Sequence, residues 1–439
     1  MKSDKSIINA WYVYDWAVSA FTTTVVTVLI GPYLTEIAKS ASVNGYLNIL
    51  GINVYAGSYF NYVISVSVFL QVLFLPLIGS LSDHSGKKRM VFISTAYIGA
   101  ISTVLMYFLE GTAYIYGGLL LIVSNLAFGS SMVVYNSYLN DIAEENERDL
   151  VSSRGYAWGY VGGGLLLLLN LILIMNVDSL GLTTGEAVRI SLCSAGLWWG
   201  IFAIIPAVKF KRVLLANQNL TSNKNLISSS IQIFKTIKES FKYPQTLLFV
   251  CAYMIFNDGV QAVIVVSAQF GQEALNIDIS TLTSVILMVQ FVAYFGAVLF
   301  SYLAKKFGSK NSLIISLVIW ILIIIYAYQF LNGVFSFYMI GILIGLVLGG
   351  TQAISRSIYS LLIPRGKEAE YYSLYEVSER GTSWIGPLLF GLSLQFSESH
   401  HFAILSLGVL FVVGLILLSF VNFKKGIADV GNVIPVNIR

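Results

Sequence analysis

Apolar residues fall in twelve long stretches, near 9–37, 59–82, 89–109, 113–140, 151–176, 187–208, 245–271, 280–304, 311–331, 335–362, 370–396 and 402–423. Each can cross the roughly 30 Å hydrocarbon core of a bilayer as a helix. Lipid offers no hydrogen-bond partners to an open backbone, so each stretch is predicted to be helical. The connections are short except one, from Lys209 to Tyr243, which is polar and rich in Ser, Asn and Lys. It leaves six stretches on either side. The pattern predicts an all-α membrane protein of twelve transmembrane helices in two pseudo-symmetric six-helix bundles. The N-terminal bundle covers 1–208, a linker 209–243, the C-terminal bundle 244–425 and a tail 426–439. Inside the linker Ile227, Ile231, Phe234, Ile237 and Phe241 recur at helical spacing, with Lys235, Lys238 and Lys242 between them. That suits an amphipathic helix on the membrane surface; a solvated tether is the other reading.

Composition agrees with the pattern. Hydrophobic residues make up 56% of the 439 and charged residues 11%, against about 25% charged in a soluble domain. If the N-terminus is cytoplasmic, every lysine and arginine except Lys39 and Arg189 falls on or near the cytoplasmic side. Short cytoplasmic loops carry such an excess. Both termini are therefore expected inside, and the expected location is a bacterial inner (plasma) membrane. The same bias accounts for the net charge of +4 without a nucleic-acid partner. Cys193 and Cys251 lie in apolar runs and read as small buried side chains. No spacing of histidines or cysteines suits a metal, and no nucleotide-binding motif calls for a cofactor.

The two halves share weak internal symmetry. The loop after helix 2 carries Gly79, Asp83 and Gly86, followed by Lys87, Lys88 and Arg89; Ser301, Lys305 and Gly308 keep the same spacing after helix 8. Arg154, Gly155 and Trp158 open helix 5, and Arg380, Gly381 and Trp384 lie in helix 11. Helices 1 and 7 each hold one aspartate, Asp15 and Asp258. This is the parallel repeat of secondary transporters. Gly79 and Gly86 permit close approach and a tight turn. The basic trio holds the loop at the cytoplasmic face, and Asp83 can pair with a cation or a helix N-terminus. The loop reads as a conformational latch.

That loop resembles the signature loop of the major facilitator superfamily, and the six-plus-six plan fits over the whole chain. Lys305 stands where the second copy would carry an acid. A narrower resemblance rests on Tyr14-Asp15-Trp16-Ala17 with Ser19-Ala20-Phe21, Asp258-Gly259, Gly350, Gln352, Ser355-Arg356-Ser357, Ile363-Pro364 and Gly386-Pro387. Together these are similar to the vacuole effluxer-like branch, also called autophagy-related-protein-22-like. The resemblance implies export of amino acids. It also implies that helices 1, 4, 7 and 10 line a central cavity, which would place Asn125, Ser130, Ser131, Tyr135 and Asn136 of helix 4 there.

Ionisable groups within membrane helices are expensive and mark functional sites by default. Asp15 sits two turns into helix 1, in a polar stripe with Ser19 and Thr22 or Thr23. Asp258 lies about 18 Å into helix 7, beside Asn257 and on the face of Gln261. Each aspartate could bind a substrate amine, take up a coupling proton, or make an interhelical hydrogen bond. Asn125 is the deepest polar group of helix 4 and a candidate for substrate contact. On helix 10, Gln352 and Arg356 are candidates too; Arg356 could clamp a carboxylate or pair with Glu376 or Glu379. Asp141 and Arg154 bracket the loop between helices 4 and 5 as a candidate ion pair. Glycine ladders, Gly155/Gly159/Gly163 and Gly341/Gly345/Gly349, allow close helix packing.

The leading reading is a secondary active transporter working by alternating access. It moves a small solute, with amino-acid export expected and protons as a candidate coupling ion. Its partners would be that solute and membrane lipids. A drug-like or lipid-like amphipathic cargo is the alternative. A transport-like sensor and a membrane enzyme are alternatives of another class, although no zinc-protease or nucleophile-elbow pattern occurs.

Overall fold

The computed structural model describes residues 5–84, 88–143, 148–211, 213, 241–364, 383–432 and 434. Eleven of its helices are long and apolar enough to span a membrane, and a twelfth apolar helix, Ile385–Ser397, is shorter. That helix is the described part of the stretch expected over 370–396. The expected amphipathic helix of the linker lies outside the described residues, apart from Phe241 and Lys242.

Two compact units result: Met1–Ala56 with Val66–Ser230, and Gly57–Ser65 with Ile231–Arg439. Residues 57–65 precede the linker in sequence yet cluster with the second unit.

In the first unit, α1 (Lys5–Ser40) is interrupted. Phe21–Leu29 winds as a π-helix, and the Ile30 N–H reaches back five residues to the Val25 carbonyl. The stretch holds four threonines. The Thr27 hydroxyl donates to the Thr22 carbonyl at 2.9 Å and that of Thr22 to the Ser19 carbonyl at 3.1 Å. Hydroxyls that compete for backbone carbonyls, on β-branched residues that crowd the turn, loosen α geometry. π-turns are frequent at functional sites.

A two-stranded antiparallel hairpin follows, β1 (Tyr46–Ile49) and β2 (Ile52–Tyr55). It departs from the all-α expectation. Leu50 and Gly51 at its tip both take positive φ, +51° and +85°, the geometry that a two-residue hairpin turn demands. The Asn48 side-chain oxygen accepts from the Gly51 N–H at 3.1 Å.

The remaining helices of the N-terminal half are α2 (Tyr59–His84), α3 (Lys88–Leu105), α4 (Tyr114–Ile142), α5 (Arg148–Met175) and α6 (Thr184–Lys209). A capping box starts α6: the Glu186 N–H donates to the Thr183 hydroxyl oxygen and the Thr183 N–H to the Glu186 carboxylate. Arg189, an exception to the charge bias, pairs with Glu110.

In the second unit run α7 (Pro244–Leu275), α8 (Ile279–Phe307), α9 (Ser309–Gln329), α10 (Gly333–Leu361), α11 (Ile385–Ser397), α12 (His400–Phe420) and α13 (Phe423–Asp429). Pro244 opens α7, where its missing N–H costs nothing. Asp278 caps α8.

The spans keep exposed apolar faces. On α12 these are Val409, Val412, Val413, Ile416 and Phe420, at helical spacing. Such faces suit a bilayer and would be aggregation sites in water.

Candidate functional site

The polar stripe of α1 and the glycine ladder of α5 meet residue by residue. A methyl added at Gly155 would come within 2.4 Å of Asp15 Oδ2. One at Gly159 would come within 2.7 Å of Ser19 Oγ, and one at Gly163 within 2.7 Å of Thr23 Oγ1. The bare backbone of α5 makes the room that these polar side chains occupy. Asp15 is buried, and its Oδ2 accepts from the Tyr135 hydroxyl of α4 at 2.6 Å. The Trp11 ring stacks on Tyr135 with centroids 4.4 Å apart, and its indole N–H donates to the Tyr135 carbonyl at 3.1 Å. The Tyr14 hydroxyl donates to Ser131 Oγ at 2.7 Å and receives the Trp199 indole N–H at 3.3 Å. Aromatic walls thus hold Asp15 where α1, α4 and α5 converge.

Asp258 is seated in a parallel way. It is 1% exposed. Its Oδ1 accepts from the Gly386 N–H at 3.2 Å, in the first turn of α11. A methyl at Gly386 would approach Ala262 Cβ to 2.4 Å and the Asp258 backbone oxygen to 3.1 Å. Each half therefore sets the aspartate of its first helix against a glycine of its fifth. The carboxylate also lies at a helix N-terminus, where the dipole favours negative charge. Asp258 Oδ2 is buried and has no hydrogen-bond partner among the described residues. Asn257 is buried beside it and Gln261 is half-buried.

The other expected residues fall in several places. Asn125 is buried; its Nδ2 donates to Ser67 Oγ at 2.8 Å, and its carbonyl accepts from Gln71 Nε2 at 2.8 Å. Its side chain thus ties α4 to α2. Gln352 is half-buried and Arg356 exposed on α10, while the buried Ser355 hydroxyl has no partner among the described residues. Glu376 and Glu379 lie outside the described residues.

Asp141, expected to pair with Arg154, instead receives Lys88 Nζ at 2.6 Å. Lys88 starts α3 at the membrane end where α4 finishes, so its ammonium reaches the carboxylate although 53 residues separate them. Arg154 is exposed. Lys88 also lies 4.4 Å from the Tyr138 ring centroid, and Arg89 Nε donates to the Ala207 carbonyl at 2.5 Å. These two residues of the expected latch staple α3 to α4 and α6 within the first unit. A methyl added at Gly79 would meet Val133 at 3.4 Å, an ordinary contact distance. The side chain of Asp83, and Gly86 and Lys87, lie outside the described residues.

Sequence reasoning missed a polar cluster in the second unit. Asn61 Nδ2 donates to Gln269 Oε1 at 2.9 Å, and Gln269 Nε2 to the Gly57 carbonyl at 2.7 Å. The Tyr62 hydroxyl donates to the Gly391 carbonyl at 3.2 Å, and Ser65 Oγ to the Trp384 carbonyl at 2.8 Å. Asn61 and Gln269, two amides in membrane stretches, were the available signal. Among the described residues no three His, Cys, Asp or Glu side chains converge to hold a metal. Cys251, expected to be buried, is exposed on the apolar surface of α7.

Comparison with known proteins agrees with this architecture. The model of the family described as vacuole effluxer Atg22 like matches residues 3–431. An uncharacterized MFS-type transporter of Bacillus subtilis, YxiO, is 28% identical over 94% of both chains. Autophagy-related protein 22-1 of Aspergillus niger is 24% identical over 87% of this chain and 75% of its own. The nucleoside transporter NupG superposes with a TM-score of 0.67 at 15% identity, covering 95% of this chain and 98% of its own. A partially occluded, inward-open structure of the xylose transporter XylE from E. coli gives 0.66 at 12% identity, over 96% and 98%. These structures share the fold. With its apolar spans and its match over nearly the full length, this chain is an integral membrane protein that belongs to the vacuole effluxer Atg22-like family of major facilitator transporters.

Proposed function

We propose that the protein is a secondary active transporter that exports amino acids by alternating access, coupled to protons, with both termini on the cytoplasmic side of a bacterial inner membrane. One observation carries this reading. Two aspartates at repeat-related positions, Asp15 and Asp258, are buried in spans, and among the described residues one Asp258 oxygen has no partner. An uncompensated charge in the hydrocarbon costs about 3 kcal/mol or more. A proton on Asp258, or the ammonium group of a substrate, relieves that cost. Asn257 and Gln261 flank it with amide groups that can orient a polar solute, and Gln352 and Arg356 of α10 could engage its carboxylate. The family's connection with effluxers supports a small solute as cargo.

Purified protein in liposomes, offered labelled amino acids with and without a pH gradient, tests the reading. Gradient-dependent movement of at least one amino acid, lost in Asp258→Asn, is expected. Movement that is unchanged in Asp258→Asn would remove the role of that residue. No movement of any amino acid would turn the assignment to an amphipathic cargo.

A further inference from the structure

Along α8 the side chains of Phe291, Tyr294, Phe295, Val298, Leu299 and Tyr302 are all exposed. Their spacing draws one continuous apolar face on the helix. Toward its C-terminal end lies a concavity of about 400 Å³ lined by Tyr294, Ala297, Val298, Ser301, Tyr302 and Lys305.

Lys305 is the only charged side chain in that lining. It stands one turn beyond Ser301, so the ammonium and the hydroxyl share a face. Among the described residues neither has a partner. Lys310, close by, differs: its Nζ donates to the carbonyls of Ser419 at 3.0 Å and Val421 at 2.7 Å.

Depth fits as well. At 1.5 Å per residue Lys305 lies roughly 39 Å along the helix from Ile279, at the far membrane surface. Tyr294 lies about 17 Å deeper than Lys305, within the hydrocarbon. A molecule seated here meets a cation at headgroup level and an aromatic, apolar wall below it.

We propose that this face of α8 holds one anionic phospholipid, its phosphate oxygens accepting hydrogen bonds from Lys305 Nζ and Ser301 Oγ and an acyl chain lying over Val298 and Tyr294. Charge complementarity selects the anionic headgroup. The concavity offers a cation to the phosphate, and no acidic lining side chain to the ammonium of a zwitterionic lipid. Basic groups at the membrane surface attract anionic lipid in this way. Neither Asp15 nor Asp258 belongs to its lining, and the site does not depend on what is transported.

Native mass spectrometry of the full-length protein, titrated with phosphatidylglycerol and separately with phosphatidylcholine of the same chains, tests this. The protein should retain one phosphatidylglycerol at concentrations that leave phosphatidylcholine unbound. Lys305→Gln should weaken that retention about fivefold, the equivalent of ~1 kcal/mol for one surface lysine. Lys306→Gln, a neighbouring lysine outside the lining, should weaken it less. Both lysines are exposed, so neither change disturbs packing. Equal retention by the native protein and Lys305→Gln, or equal retention of the two lipids, overturns the proposal. So does displacement of the lipid by millimolar inorganic phosphate, which would make the site one for free anions.

Discussion

Gly162 of α5 rests on the backbone of Trp16 in α1: a methyl added there would lie 2.4 Å from the Trp16 carbonyl oxygen and 2.8 Å from its Cα. A side chain can swing away from such a clash, but a helix backbone cannot. Gly162→Ala should therefore destabilise the protein by about 1–3 kcal/mol, the cost of overpacking a tight contact. Gly164, two residues on, has nothing among the described residues within 4 Å of an added methyl. Gly164→Ala should be neutral, or stabilising by up to ~1 kcal/mol through helix propensity. Thermal unfolding of the purified variants checks the pair, and equal behaviour of the two would contradict this packing.

Asp258 and Gly386 separate a structural role from a transport role. Asp258→Leu removes the acceptor of a buried N–H and should cost about 1–3 kcal/mol. Asp258→Asn keeps an oxygen for Gly386 but cannot hold a proton or a negative charge. It should unfold within about 0.5 kcal/mol of the native protein while transport falls at least about tenfold, the equivalent of ~1.4 kcal/mol in the barrier. Melting curves and liposome flux, measured on the same preparations, read the two effects apart.

Much of this was legible in the chain because lipid leaves few options. A run of twenty apolar residues has to be a helix, and an aspartate inside one stands out, so the spans and both buried carboxylates could be read directly. The partners could not. Helical periodicity shows which residues share a face but not which helix that face meets. Tyr135 read as part of a polar stripe, which the resemblance places at a cavity; that its hydroxyl bonds Asp15 could not be read from that stripe. Asp141 and Arg154 looked paired because only a short loop separates them, yet α3 also starts at that surface and its Lys88 takes the carboxylate. The π-stretch of α1 had a signal in Thr22, Thr23, Thr24 and Thr27, but winding depends on where hydroxyls find carbonyls. Gly162 and Gly164 are chemically identical in sequence; only the helix opposite distinguishes them.

Asp278 caps α8 outside the membrane span. Its carboxylate accepts from the Thr281 N–H at 2.9 Å, the Thr281 hydroxyl at 2.8 Å and the Ser280 hydroxyl. Partial burial pushes its pKa upward, but these hydrogen bonds outweigh it and hold the group below the ordinary carboxylate value. A depressed folded value means that the stabilisation is complete above the unfolded pKa, near 3.9, and is lost as pH falls through the folded one. Asp278→Ala should cost about 1 kcal/mol at neutral pH. That difference should shrink below about pH 4, as seen in paired melting curves.

Gln269 and Asn61 provide the most demanding test of the second unit. Both are buried, and the Gln269 amide is used at both ends: its oxygen accepts from Asn61 Nδ2 and its nitrogen donates to the Gly57 carbonyl. Gln269→Leu keeps much of the volume but leaves the Asn61 donor and the Gly57 carbonyl unpaired in an apolar setting. An orphaned buried polar group costs about 1–3 kcal/mol, so the single change should destabilise by about 2–4 kcal/mol. Asn61→Leu alone should cost less, because the Gln269 nitrogen keeps its carbonyl. In the double variant the Asn61 donor no longer exists to be orphaned, so the double change should cost less than the sum of the two single changes, with a coupling of about 0.5–3 kcal/mol in a double-mutant cycle. Simple additivity would mean that the two amides do not meet, and that the first turns of α2 are held against α7 by apolar contact alone.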